Sequence, residues 1–174
     1  ELTRDQIFFL AEYSHKLNIE FMASVFDIER IEWLEDVGVK RYKIASRSIY
    51  DEKLIKALIE TGKPLIASLG MWEGNKIPNF NSKQAIDYLH CISKYPTKLE
   101  ELFIKEVDFK TYSGLSDHTR GITAACSAIV YGAKIIEKHF TLDKGMYGPD
   151  HEGSMDPNEL KFIDNFRKEF ELMT

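Results

Sequence analysis

The sequence predicts a parallel α/β fold of the (β/α)8 TIM-barrel type, with about six of the eight βα units present in this chain. Segments with helical apolar spacing alternate with short apolar runs almost without interruption, which is typical of βα units. The spacing of the units fits a barrel, but a complete barrel takes about 250 residues. We therefore expect residues 1–174 to form a single partial barrel domain whose missing units precede residue 1.

The first part of the chain alternates three predicted helices with three strands. Thr3 and Gln6 have the spacing of a capping box at the start of the first helix. Asp27 and Asp51 are N-caps for the second and third helices, each of which ends at a glycine. The apolar runs beside these helices predict strands at 19–26, 41–46 and 64–70.

The second part begins with a change of character at residues 72–84, where Gly, Pro and Asn predict a long irregular connection. A short helix is expected at 97–105, and a second helix between Gly121 and Gly132 joins two strands. Asp156, with Pro157 after it, caps a closing helix. The predicted strands of this part are 85–93, 112–118 and 134–141.

Composition argues against several classes of protein. The net charge of −5 comes without a basic stripe, which argues against a nucleic-acid partner. No run approaches the roughly 20 apolar residues that span a membrane, and no signal pattern begins the sequence, so we expect a cytoplasmic protein. Cys91 and Cys126 are isolated in apolar segments and are interpreted as reduced core residues.

Two histidines end two neighbouring predicted strands, His118 after Ser116 and His139 after Glu137. Side chains alternate along a strand, so Ser116 and His118 share one face, as do Glu137 and His139. A right-handed crossover would lay these strands parallel, with both histidines at their C-terminal ends. Two imidazoles there suit a divalent metal with open positions for water or substrate. The alternative is that each histidine is a structural residue with two hydrogen bonds.

Other polar residues mark the same ends of the predicted strands. Lys43 lies inside an apolar strand, so its ammonium must extend outward to solvent or meet an anion, and the alternative is a structural salt bridge at the end of the barrel. Tyr95, after the fourth strand, is a candidate substrate contact, and Asp150 is either a site carboxylate or a solvated turn residue. Small hydroxyls that can bind phosphate or carboxylate oxygens, but are also common where strands meet loops, are Ser24, Ser46, Ser68, Ser93 and Ser116.

Six segments together resemble the sialic acid synthase family, in the same order and with similar spacing along nearly the whole chain. That family includes the N-acetylneuraminate, legionaminate and pseudaminate synthases and relatives linked to spore-coat polysaccharide. The segments are YKIAS at 42–46, SLGM at 68–71, HCISKYP at 90–96, SDHT at 116–119, EKHFTLD at 137–143 and GPDH at 148–151.

The resemblance implies a (β/α)8-barrel transferase, working as a homodimer, that condenses phosphoenolpyruvate with the aldehyde of an N-acetylmannosamine-type sugar. Phosphate is released and a nine-carbon nonulosonic acid forms. His118 and His139 would hold Mn2+ or Mg2+, and together with Lys43 they would be the catalytic residues. The resemblance assigns Lys43 and the five serines to phosphoenolpyruvate, and Glu137, Tyr95 and Asp150 to the sugar. It also implies that the first two βα units and a C-terminal antifreeze-like domain are absent from residues 1–174.

Some positions depart from the family pattern. Leu69 replaces the usual threonine, and an irregular stretch stands where the family has a helix after Met71. Two alternatives therefore stay open: a truncated, non-catalytic relative that binds an anion and a metal, and a metal-dependent aldolase that uses pyruvate. The sequence leaves open which sugar is used, whether the sugar is phosphorylated, and which metal is bound.

Overall fold

The computed structural model describes residues 2–174, and this part of the chain contains five α-helices, five β-strands and three single-turn 3-10 helices. The helices are α1 (Arg4–Lys16), α2 (Ile28–Asp36), α3 (Glu52–Glu60), α4 (Thr123–Val130) and α5 (Pro157–Glu171). The strands are β1 (Tyr42–Ile44), β2 (Leu65–Ser68), β3 (Ile86–Cys91), β4 (Gly114–Asp117) and β5 (Ile135–Lys138). The 3-10 helices are Ser46–Ser48, Leu99–Glu101 and Ile104–Glu106. No helix among the described residues has the length and apolar character needed to cross a membrane.

The strands follow one another in the sheet in chain order, from β1 to β5. β1 pairs with β2, β3 with β4, and β4 with β5, each time in parallel. Parallel neighbours need a crossover, which α3 supplies between β1 and β2 and α4 between β4 and β5. The irregular connection predicted at 72–84 is confirmed, since no helix forms there. This succession of parallel strands confirms the predicted fold class.

Contacts divide the chain into two compact units, residues 1–67 with 72–87, and residues 68–71 with 88–174. In the first unit, the three residues of β1 are all buried. α3 packs with Leu54, Ile55 and Leu58 buried on one side, as its apolar spacing predicts. Asp51 caps α3 by accepting a hydrogen bond from the Leu54 amide, as expected.

The second unit packs α4 and α5 beside β4 and β5. The alanines of α4 are small enough for the helix to lie close to the sheet, and Ala124 and Ala128 join Leu115 of β4 in one buried cluster. On the other side of α4, Ile163 of α5 packs against Ala125 and Ile129. Packing of this density leaves little room for added atoms on β4.

Gly114→Ala on β4 is expected to lower the free energy of unfolding by the upper part of the range of about 1–3 kcal/mol typical of overpacking. A Cβ at Gly114 would stand 1.9 Å from the carbonyl oxygen of Ile135 on the paired strand. That oxygen belongs to the backbone, so relief requires β4 and β5 to separate. Urea unfolding measures the effect, with Gly153→Ala as control because its Cβ would meet only an ordinary contact at 3.9 Å. Equal stabilities for the two variants would contradict the prediction.

The predicted strand at 19–26 is wrong. Those residues contribute a single parallel bridge, between Ser24 and Lys43, and no strand. The backbone hydrogen bond beside it, from the Lys43 amide to the Ala23 carbonyl, is long at 3.4 Å. Among the described residues this segment pairs with β1 alone, so its apolar pattern is not matched by a ladder of hydrogen bonds. Residues 2–174 therefore form five strands where the sequence predicts six.

The short helix predicted at 97–105 is also wrong. Two 3-10 turns replace it, and Phe103 between them has φ +44°, in the left-handed region. A left-handed residue cannot continue a right-handed helix, so the apolar spacing across this segment does not produce one.

Candidate functional site

The second unit brings His118 and His139 together. Asp117 at the end of β4 pairs in register with Lys138 at the end of β5, so the two histidines leave the sheet at the same edge. Their ring centroids are 5.7 Å apart and the rings are nearly perpendicular, at 83°. The parallel crossover and the alternation of side chains produce this arrangement, as the sequence predicts.

Tyr95 lies against both imidazoles. Its ring centroid is 4.0 Å from that of His118 and 5.6 Å from that of His139. Partial burial, followed by the nearby Cys91, Glu137 and Asp150, raises the pKa of the Tyr95 phenol. The phenol therefore stays protonated at neutral pH and can donate a hydrogen bond beside the two histidines.

The His118 imidazole is held in one orientation by the chain that follows β3. Its Nδ1 lies 2.9 Å from the carbonyl oxygen of Ile92 and 3.9 Å from the Sγ of Cys91. A carbonyl only accepts, so Nδ1 carries the hydrogen and donates it, and Nε2 keeps a free lone pair in the neutral ring. An outer partner of this kind commonly orients a metal-binding histidine.

Burial alone would lower the pKa of His118, but the hydrogen bonds to Cys91 and Ile92 and the nearby charge of Glu137 outweigh it and raise the pKa. We expect an NMR titration to give a pKa above the ordinary value of 6.5. A histidine whose folded pKa is raised adds stability below its unfolded pKa and loses that contribution as pH rises through the folded pKa. Metal binding needs the neutral imidazole ring. Because the pKa of His118 is raised, acidification should begin to weaken metal binding at a higher pH than it would for a histidine of ordinary pKa.

Cys91→Ala provides the matched variant for this titration, because the Cys91 bond is the largest influence that raises the pKa. The pKa of His118 should move downward in that variant. A wild-type pKa at or below 6.5 would contradict the prediction.

A row of three side chains crosses the sheet beneath the histidines. Cys91 of β3 pairs in register with Ser116 of β4, and Ser116 with Glu137 of β5. The Ser68 hydroxyl at the end of β2 donates to a Glu137 carboxylate oxygen at 3.1 Å. Ser68 and Ser116 are buried, so their hydroxyls are shielded from bulk water. The row and the Ser68 bond together bring three of the residues that the sequence singles out close to one another: Ser68, Ser116 and Glu137.

Asp150 approaches the pair from the loop after β5. Its Oδ2 lies 3.8 Å from Nδ1 of His139, and both side chains are partly exposed. The Ser154 hydroxyl donates to the Asp150 carbonyl at 2.7 Å, which holds this turn. Asp150, Tyr95 and the two histidines line one pocket, and Arg120 and Glu152 form an ion pair at its edge.

Ser93 has a buried hydroxyl with no hydrogen-bond partner within the described part of the chain. A buried polar group without a partner costs about 1–3 kcal/mol, so this position favours a bound water or ligand. The same is true of the Thr119 hydroxyl, directly after His118.

Three predicted site residues belong to the first unit: Ser24, Lys43 and Ser46. Lys43 is 4% exposed, and its Nζ donates to the Ile44 carbonyl at 3.0 Å. Ser24 is its partner in the isolated bridge, and Ser46 begins the first 3-10 helix, two residues after the end of β1. This burial argues against a Lys43 ammonium that extends outward to solvent, and its contact with an anion or a salt bridge stays a prediction.

Sequence reasoning missed an ion pair behind the histidines. Lys138 donates to Asp117 Oδ2 at 2.9 Å, and both side chains are at most 1% exposed. Asp117 and Lys138 face away from Ser116 and Glu137, because alternate residues of a strand point to opposite faces. A lysine and an aspartate at equivalent positions of two predicted parallel strands were the available signal.

No group of three or more His, Cys, Asp or Glu residues is arranged as a complete metal site within residues 2–174. The two imidazoles alone fit an ion that takes its other ligands from water or substrate. His118 supports this fit, because Nε2 is the ring nitrogen left free of the Ile92 carbonyl.

Comparison with known proteins identifies close relatives. A protein of Methanocaldococcus jannaschii described as uncharacterized is 39% identical over 179 residues, covering 96% of this chain and 53% of that protein. The N,N'-diacetyllegionaminic acid synthase of Campylobacter jejuni is 38% identical over 164 residues, covering 87% of this chain and 49% of the synthase. The crystal structure of the N-acetylneuraminic acid synthetase from Leptospira borgpetersenii, in complex with citrate, superposes with a TM-score of 0.89 at 32% identity, covering 98% of this chain and 65% of that one.

The chain spans about half the length of the curated relatives it matches. The resemblance seen in the sequence motifs is confirmed along the whole of the match, since the family model covers residues 1–173. The chain belongs to the NeuB family.

Proposed function

We propose that this chain carries the catalytic residues of a synthase that joins phosphoenolpyruvate to the aldehyde of an N-acetylmannosamine-type sugar. The observation that carries the proposal is the His118 and His139 pair beneath Tyr95, at the C-terminal ends of adjacent parallel strands. Active sites of (β/α)8 barrels lie at this end of the strands. Membership of the NeuB family, with relatives named as legionaminic and neuraminic acid synthases, supports the same chemistry.

In the proposed reaction, C3 of phosphoenolpyruvate forms a bond to the sugar aldehyde carbon, and the aldehyde oxygen takes up a proton to become a hydroxyl. Water adds to C2, and the bond from C2 to the phosphate oxygen is replaced by a ketone as inorganic phosphate leaves. One phosphoenolpyruvate, one sugar and one water thus give one nine-carbon 2-keto acid and one phosphate. The step needs stabilisation of the negative charge that develops on the aldehyde oxygen.

We infer that His118 and His139 hold Mn2+ or Mg2+ as nitrogen ligands, with Nε2 of His118 facing the ion. Such an ion, when bound, polarises a carbonyl oxygen as a Lewis acid. The bond from Nδ1 to the Ile92 carbonyl keeps the His118 ring in the tautomer that this role needs. Asp150, 3.8 Å from His139, is proposed to contact the sugar hydroxyls, and Tyr95 to donate a hydrogen bond to the sugar.

The same proposal assigns the anionic groups of phosphoenolpyruvate to residues with hydrogen-bond donors. Lys43 supplies a buried ammonium, and Ser93 supplies a buried hydroxyl that has no hydrogen-bond partner among residues 2–174. Glu137, which accepts from Ser68, is proposed to orient the sugar. The remaining residues assigned to phosphoenolpyruvate through the family resemblance are Ser24, Ser46, Ser68 and Ser116.

The test is an assay of this chain with Mn2+, phosphoenolpyruvate and N-acetylmannosamine, in which phosphate and the 2-keto acid are measured together. Equal amounts of the two products support the proposal. Product from pyruvate, without phosphate, would instead identify a metal-dependent aldolase. Binding of phosphoenolpyruvate in calorimetry, with no product from phosphorylated or unphosphorylated sugars, would identify a non-catalytic relative.

A further inference from the structure

We propose that Lys138 and Asp117 are positioning residues that hold His118 at its distance from His139. This inference rests on the proposed function, in which the two imidazoles act together on one metal ion. The side chains of Lys138 and Asp117 are buried and lie on the opposite face of the strands from Ser116 and Glu137, so we assign them a positioning role and no contact with the substrate.

The contacts of Lys138 reach both neighbours of His118. Its Nζ donates to Asp117 Oδ2 at 2.9 Å and to the carbonyl oxygen of Thr119 at 2.6 Å. Lys138 also directly precedes His139 in the chain. One ammonium group therefore ties the residues before and after one histidine to the residue before the other.

Asp117 also makes a hydrogen bond across His118, independently of Lys138. Its Oδ1 accepts a hydrogen bond from the Thr119 amide at 2.8 Å, which spans His118. The two carboxylate oxygens of Asp117 thus have different partners: Oδ1 accepts from the Thr119 amide, and Oδ2 accepts from Lys138 Nζ. We call the Asp117, Thr119 and Lys138 contacts the clamp.

The backbone of each histidine has further support outside the clamp. The His118 carbonyl accepts from the Thr97 amide at 2.9 Å, and the His139 carbonyl accepts from the Met155 amide at 2.9 Å. These bonds fix each histidine to a different loop. Tyr95 lies against both rings, while the pairing of β4 with β5 and the clamp relate the backbones of His118 and His139.

A metal site made of two histidines is sensitive to small displacements of its ligands, because the ligands must be held close to the productive geometry. Loss of an outer-shell partner typically reduces metal affinity by about 10 to 100-fold. We expect an effect of that size when the clamp is removed, even in a protein that remains folded.

The test uses the double variant Asp117→Asn, Lys138→Met, which removes both charges and keeps an oxygen that can accept from the Thr119 amide. Mn2+ affinity is measured by electron paramagnetic resonance titration. Ile163→Ala is the control, since it opens the buried contact between α5 and α4 and weakens the fold without touching the clamp. The histidine tautomers of the metal-free proteins are read by two-dimensional 1H–15N NMR.

The proposal predicts a loss of about 10 to 100-fold in Mn2+ affinity in the double variant, with unchanged affinity in Ile163→Ala. It also predicts that the single Nδ1-protonated form of neutral His118 gives way to a mixture of tautomers in the double variant alone. A folded double variant with wild-type affinity and a wild-type His118 spectrum would overturn the clamp.

The NMR measurement separates this inference from the proposed function. If the wild-type protein binds no Mn2+, the metal assignment fails, and the clamp is then judged by the His118 spectrum alone. A mixture of tautomers confined to the double variant would support positioning by the clamp. An unchanged spectrum would reject it.

Discussion

His118→Ala and His139→Ala are each expected to lower the rate of phosphate release by at least about a thousandfold, which corresponds to about 4 kcal/mol of transition-state stabilisation. Each change removes one of the two nitrogen ligands of the proposed ion. Among residues 2–174 no third His, Cys, Asp or Glu is arranged with the pair as a metal ligand that could replace the lost one. The measurement is the steady-state rate of phosphate release at saturating phosphoenolpyruvate and N-acetylmannosamine. Thermal unfolding with and without Mn2+ should show that the stabilisation by Mn2+ is lost in the same variants.

His15→Ala is the matched control, because His15 lies in the last turn of α1 and is exposed. It should keep the wild-type rate and the response to Mn2+. Wild-type turnover in either His118→Ala or His139→Ala would contradict the assignment of both histidines to the metal. A parallel loss in His15→Ala would point to general damage.

Lys138→Met is expected to lower the free energy of unfolding by about 3–5 kcal/mol. The methionine fills a similar volume, but it leaves the fully buried Asp117 carboxylate without its cation. A buried charge without a partner raises the free energy of the folded state, and removal of Lys138 leaves the Asp117 carboxylate in that condition. Urea unfolding, followed by circular dichroism, measures the change.

Arg167→Met tests the same change of charge at the surface. Arg167 pairs with Asp164 and Glu171 on exposed α5, where ion pairs contribute about 0.2–1 kcal/mol. Adding Asp117→Asn to Lys138→Met should recover much of the lost stability, because the orphan charge is removed. A loss below about 1 kcal/mol in Lys138→Met would indicate that water reaches Asp117.

Local chemistry made the helix starts predictable. The capping box of Thr3 and Gln6 forms in both directions, and Asp27 and Asp156 accept the amide hydrogen bonds expected of N-caps. Each of these bonds joins residues two or three positions apart, so the sequence window contains both partners. The same holds for α5, which begins at Pro157.

Predictions failed where the outcome depended on distant residues or on an unusual backbone. The apolar run at 19–26 has strand-like residues, but a strand also needs neighbours to pair with, and one bridge to Lys43 is what forms. Phe103 adopts a left-handed conformation that is rare for an aromatic residue, so no pattern around 97–105 indicated the break.

The candidate site likewise has some features that follow from the local sequence and others that depend on tertiary contacts. The sequence by itself determined that His118 and His139 meet, because the alternation along a strand and the hand of a parallel crossover follow from local chain geometry. Only the tertiary structure decided that Tyr95 lies against both rings, that the Ile92 carbonyl selects the His118 tautomer, and that Lys138 neutralises Asp117. These contacts join side chains and carbonyls 21 or more residues apart, and the path of the packed chain sets which donor meets which acceptor.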